Sequence, residues 1–136
     1  MKNVVLGFVF LVFGLSAQAG SSHIDDARVS AIEFLALVDG REYDKSYLTA
    51  SSVMRDEVSQ EDWVAHVSNL RNPLGQLDQR TENLSVFHES LPDAPPGEYV
   101  IFNYESSFQN NKYATEVVAV AKGNDGVWRV VGYYFE

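Results

Sequence analysis

Between Ile24 and Val38 apolar side chains recur three or four positions apart (Ile24, Ala27, Ala31, Phe34, Leu35, Val38), the spacing of one face of an α-helix. Ser22 stands where a cap would accept hydrogen bonds from a helix starting near His23. Asp25 and Asp26 suit the positive end of its dipole, and Gly40 is expected to close it as the C′ residue. A short second helix is predicted around Tyr43 to Thr49. Ser59 followed by Asp62 resembles a capping box, and Trp63, Val64, Val67 and Leu70 then share one face of a third helix. Pro73-Leu74-Gly75 ends it.

After Gly75 the apolar period changes from about 3.6 to 2, the mark of β-strands. The predicted strands run from Gln76 to Glu89, Tyr99 to Phe108, Tyr113 to Lys122 and Val127 to Phe135. The Leu91 to Gly97 segment holds three prolines and cannot lie inside a strand. Asn110-Asn111 and Gly123 to Gly126 have turn chemistry, which joins antiparallel neighbours into a meander. Helices first and a sheet afterwards predict an α+β domain, with N-terminal helices packed on a curved four-stranded antiparallel sheet.

The register follows if both later hairpins have even-numbered loops. One face then collects Val100, Phe102, Tyr104, Val117, Ala119, Ala121, Trp128, Val130 and Tyr134, and is assigned to the helices. The other face holds Val118, Val120, Val131, Tyr133 and Phe135 among polar residues. That half-apolar composition predicts a cover, such as a second copy forming a homodimer. A bulge near Gly126 would flip the last strand.

The start of the chain changes the setting. Lys2 precedes an apolar run from Val4 to Leu15, and Ala17-Gln18-Ala19 matches the small-x-small pattern cut by signal peptidase. Residues 1–19 are therefore expected to be a signal peptide cleaved before Gly20, leaving residues 20–136 as a single periplasmic or secreted domain. The run is shorter than the ~20 residues that span a bilayer core, so no stable membrane anchor is expected. Without Lys2 the mature chain carries 9 basic and 19 acidic residues, a formal charge of 9 − 19 = −10. That balance disfavours nucleic acid and anionic membranes as partners. With no cysteine, disulfides, thiol chemistry and lipid attachment through cysteine are excluded.

Catalytic patterns are scarce. His23, His66 and His88 lack a nucleophile motif, and the Asp62–His66 spacing suits an exposed helical pair. No zinc-ligand spacing, P-loop or dinucleotide fingerprint occurs, so no metal and no cofactor are expected. Glu116 interrupts an apolar strand, where a charge is costly unless paired. Arg71 and Arg80 are its candidate partners, with Tyr104 or Tyr133 close by. They could hold a carboxylate or sugar ligand at a cavity mouth, or form an ion pair that fixes helix against sheet. The absence of an accompanying nucleophile favours the second role. Trp63 and Trp128, with Tyr99 and Phe102, could line a pocket, although aromatics at these spacings are more often core.

Trp63, Arg71-Asn72-Pro73-Leu74-Gly75, Arg80, Pro95-Pro96-Gly97-Glu98-Tyr99, Glu116 and Trp128-Arg129-Val130-Val131-Gly132-Tyr133 occur in an order that resembles the bacterial exported family called domain of unknown function 4019. The resemblance covers roughly Ala27 to Phe135. It implies a shape similar to the cystatin-like or nuclear-transport-factor-2-like folds, and no known activity or cofactor. The expected function is non-catalytic binding of a small ligand or a protein partner. Two alternatives remain: a small hydrolase or isomerase using Glu116 with an arginine or tyrosine, and an inhibitor or immunity protein against a cationic exported enzyme.

Overall fold

The computed structural model describes residues 15–136, with side chains from Gly20 onward. Lys2 and the apolar run up to position 14, on which the signal-peptide expectation rests, lie outside the described residues. Four helices precede the sheet: α1 (Leu15–Asp39), α2 (Tyr43–Thr49), α3 (Ser52–Glu57) and α4 (Gln60–Arg71). A 3₁₀ turn, Asn72–Leu74, leads into β1 (Leu77–His88), β2 (Tyr99–Phe108), β3 (Asn111–Lys122) and β4 (Trp128–Phe135). The strands form one antiparallel sheet in the order β1-β2-β3-β4, the α+β meander read from the pattern.

α1 begins earlier than predicted and passes through the Ala19–Gly20 junction. Ser22 is therefore an interior helical residue rather than a cap. At the other end the left-handed residue is Arg41, with φ 59°, one position beyond the expected Gly40. The Glu42 amide donates to the Leu37 carbonyl and the Arg41 amide to that of Val38, at 2.9 and 3.0 Å. That pair of bonds is a Schellman closure, with Gly40 as the last half-helical residue. The Ser59 hydroxyl accepts from the Asp62 amide at 3.1 Å and starts α4 as the sequence suggests. α3 was not predicted; it is a six-residue helix capped by Ser51, whose side chain accepts from the Val53 amide.

The two later strand pairings differ from the expected register. The β2–β3 turn is Gln109-Asn110, and β3 carries an extra residue between Ala114 and Asn111 opposite Ser106 and Phe108. Tyr104 therefore faces Glu116 rather than Val117. In β4 an extra residue, Val131, falls between the partners of Ala119 and Val120. Because side chains alternate with period 2, each one-residue irregularity moves every residue beyond it to the opposite face.

The face against the helices thus collects Val100, Phe102, Tyr104, Glu116, Val118, Val120, Val130 and Tyr133. Val118, Val120 and Tyr133 are buried, and Phe135 packs against the same core. The expected outer face is thus largely covered by the domain's own helices, with Val131 half-buried at the irregularity in β4. Tyr134, expected inside, is outside and 47% exposed. Val117 lies opposite Asn103 and Tyr134, outside the main core cluster although itself buried.

The core sits between the inner sheet face and the helices, where Phe34, Leu35 and Val38 of α1 meet Met54, Trp63 and Val67. The β4 edge is engaged by the helical layer. The Ser51 amide donates to the Val130 carbonyl at 2.8 Å, and the Ser30 hydroxyl to that of Trp128 at 2.6 Å. At the opposite end, the β2–β3 turn is tied to the segment after α4. The Asn110 amide donates to Leu74, and its side chain to the Pro73 carbonyl, at 2.9 and 3.0 Å. Gly75 follows with φ 75°, and an added Cβ would come within 2.8 Å of the Gln109 side chain. The Arg71–Gly75 motif is a turn shaped to receive a hairpin tip.

Candidate functional site

Four charged residues from four elements meet where the helices dock on the sheet: Asp39 at the end of α1, Arg71 at the end of α4, Arg80 on β1 and Glu116 on β3. Their formal charges cancel. Arg80 is the clamp. Its Nη1 and Nη2 donate to Asp39 at 2.8 and 2.9 Å, while Nε and Nη2 donate to Glu116 at 2.7 and 3.2 Å. A planar guanidinium can engage two carboxylates along two edges, which an ammonium cannot. Arg71 Nη2 donates to the Asp39 Oδ1 at 2.9 Å, and its Nη1 lies 4.0 Å from Glu116.

Glu116 has no solvent exposure. Its Oε1 also accepts from the Ser106 hydroxyl at 2.5 Å, and its Oε2 from the Tyr133 hydroxyl. A carboxylate engaged at both oxygens by a cation and two hydroxyls is satisfied in the sense that buried charge requires. Arg71 is buried too, with its guanidinium over the Phe108 ring at 4.7 Å from the centroid. That contact covers a group whose Nε has no hydrogen-bond partner among the described residues.

The electrostatics match the geometry. Burial alone would raise the Asp39 pKa, but the hydrogen bonds and charges of Arg80 and Arg71 prevail and hold it below the ordinary carboxylate value. Arg80 loses hydration on burial, yet its bonds to Asp39 and Glu116 raise its pKa further. The Tyr133 hydroxyl is pushed up by burial and then by the neighbouring Glu116 charge, so it stays protonated and donates. Each of the four charged side chains is thus engaged by another member of the cluster.

Of the candidate residues, Arg71, Arg80, Glu116 and Tyr133 come together. Tyr104 faces Glu116 across the β2–β3 pair, but its hydroxyl bonds to none of them. Trp63 is elsewhere, in the helical layer, donating its indole N–H to the Ser46 hydroxyl at 3.0 Å. Trp128 sits at the start of β4, with its ring 5.8 Å from that of His23. Both tryptophans belong to the core rather than to the charged cluster.

Asp39 and Ser106 were not singled out from the sequence. Asp39 had a readable signal, since an acidic residue in the last turn of a helix opposes the dipole and needs another reason to be there. Ser106 had none, because its role depends on the β2–β3 register.

Beside the cluster, α1 and the β1–β2 part of the sheet enclose a groove of about 400 Å³ lined by Arg28, Ile32, Leu35, Ala36, Asp39, Arg80, Glu82 and Tyr104. Arg28 bridges its outer end, donating to Glu82 at 2.9 and 3.2 Å.

No curated protein and no solved structure matches the chain, so the likeness to cystatin-like or nuclear-transport-factor-2-like shapes has no structural neighbour behind it. A family model does match, over residues 30–133, and that span includes Arg71, Arg80, Glu116 and Tyr133 together with Asp39. The chain belongs to the family described as protein of unknown function (DUF4019).

Proposed function

We propose that this protein is an exported, non-catalytic binding domain in which the Asp39–Arg71–Arg80–Glu116 network is a scaffold that seats α1 and α4 on the sheet. The observation that carries this reading is the saturation of Glu116: both carboxylate oxygens are engaged by Arg80, Ser106 and Tyr133, with no exposure to substrate or water. A general acid or base must reach the proton it moves, and this carboxylate reaches only its own partners. Export is supported by Lys2, the apolar run and Ala17-Gln18-Ala19.

Glu116→Gln is expected to lower folding stability by about 3–5 kcal/mol, because two arginines lose part of their compensation in a buried site. Denaturant titration checks this. An unchanged midpoint would remove the scaffold role and reopen the hydrolase or isomerase alternative. Intact-mass measurement of the exported chain should show an N-terminus at Gly20. A mature mass that still includes residues 1–19 would sink the export reading.

A further inference from the structure

The groove between α1 and β1–β2 contains one group that the scaffold leaves unused. Tyr104 forms part of the groove wall but is only 4% exposed, and its buried hydroxyl has no hydrogen-bond partner among the described residues. Burial, and then the negative charge of Glu82, raise its pKa, so the hydroxyl keeps its proton and is a donor. The nearby carboxylates are already engaged: Glu82 by Arg28, and Asp39 and Glu116 by Arg80. A buried donor without a protein acceptor is rare in folded proteins and is met by an ordered water or by a bound molecule that displaces it.

The surrounding side chains define that partner. The α1 wall presents Ile32 and Ala36 above the buried Leu35, an apolar surface that gains from covering by another apolar surface. Ile32 is 55% exposed, so the outer wall of the groove is open to solvent, with the Tyr104 hydroxyl buried beneath it. The charges at its two ends are self-neutralised, Arg28 with Glu82 and Arg80 with Asp39. A charged ligand would have to compete with one of those pairs, whereas an uncharged one leaves both intact.

We propose that this groove is a binding site for an uncharged, largely apolar small molecule carrying one hydrogen-bond acceptor, a carbonyl or ether oxygen, directed at the Tyr104 hydroxyl. The site is within the size range of small-molecule pockets, with an apolar wall on α1 and charged side chains paired with one another at its ends. The inference rests on the binding reading above and names its ligand class. The scaffold network positions the groove, since Arg80 and Asp39 form one end of it.

The test uses three molecules of nearly one shape: acetophenone, which carries the acceptor; ethylbenzene, which lacks it; and benzoate, which adds charge. Each is titrated into the mature protein and followed by two-dimensional NMR at Ile32, Ala36 and Tyr104. Acetophenone should bind about tenfold more tightly than ethylbenzene, the size of one well-placed hydrogen bond, and benzoate should bind weakest. In Tyr104→Phe the preference for acetophenone over ethylbenzene should vanish with thermal stability unchanged or raised, because the lost hydroxyl had no partner. Ala36→Trp, on the exposed wall, should block all three while the domain stays folded.

Equal affinities for acetophenone in wild type and Tyr104→Phe would overturn the proposal. So would a clear loss of stability in Tyr104→Phe, tightest binding by benzoate, or no perturbation of the groove at saturating acetophenone. A destabilised Glu116→Gln beside such a result would leave the scaffold reading standing and remove only the groove.

Discussion

Asp39, Gly40 and Arg41 show how a few adjacent residues at the end of α1 serve unlike demands. Asp39 faces the sheet and both arginines, Gly40 finishes the helix, and Arg41 takes the left-handed turn with φ 59°. That conformation costs any residue with a Cβ about 1–2 kcal/mol relative to the right-handed region. Arg41 is exposed, and its amide rather than its side chain closes the helix. Arg41→Gly is therefore expected to raise stability by about 0.5–1 kcal/mol, the strain relief less the added freedom of glycine in the unfolded chain. A thermal melt that moves downward for this variant would show that the arginine side chain carries a contact the turn depends on.

At the scale of elements, the irregularities in β3 and β4 decide which residues meet the helices. Tyr133 and Tyr134 are neighbours in sequence with opposite environments, 4% and 47% exposed. Tyr133 donates to Glu116 and packs edge-on against Phe34, with ring centroids 5.6 Å apart. Tyr133→Ala should cost about 3–5 kcal/mol, as truncation of a large buried ring does. Tyr134→Ala should stay within about 1 kcal/mol. Chemical denaturation of the two variants separates the registers, since equal costs, or a larger cost at Tyr134, would mean that β4 is paired one residue away. The same logic applies to α4 and its turn, where the Pro73 and Leu74 carbonyls receive Asn110 and leave Gly75 no room for a side chain.

For the whole molecule the consequence of the charge network is a dependence on acid. Asp39 has a folded pKa below its ordinary value, so its contribution to stability is present above about pH 4 and is lost as the pH falls through the lowered folded value. Asp39→Asn removes the carboxylate at every pH. The variant is expected to be less stable than wild type at pH 7, and the gap should narrow as the pH falls from about 5 to 2. A gap of constant width over that range, in urea titrations at fixed salt, would mean that the Asp39 charge is not what holds α1 to the sheet. Because the four charges belong to α1, α4, β1 and β3, their loss should be felt throughout the domain rather than at one element.

Much of this was legible from the chain alone. The helical spacing of Ala27, Ala31, Phe34 and Val38, the Ser59–Asp62 start of α4 and the alternation of the strands are local properties, and local properties survive folding. The suspicion that Glu116 needs Arg71 or Arg80 was also readable, because a carboxylate in an apolar strand has few ways to be tolerated. The partnership of Asp39 and Ser106 with that cluster, the separation of Trp63 and Trp128 from it, and the inward turn of Val118, Val120 and Tyr133 were decided by tertiary structure. The placement of Asp39 and Trp63 depends on how the helices dock, and that of Ser106, Val118, Val120 and Tyr133 on strand register, which here turns on single extra residues in β3 and β4 that alternation cannot reveal. The orphaned hydroxyl of Tyr104 is of the same kind: a tyrosine's need for an acceptor is written in the residue, but whether the fold supplies one depends on what the surrounding elements bring within reach.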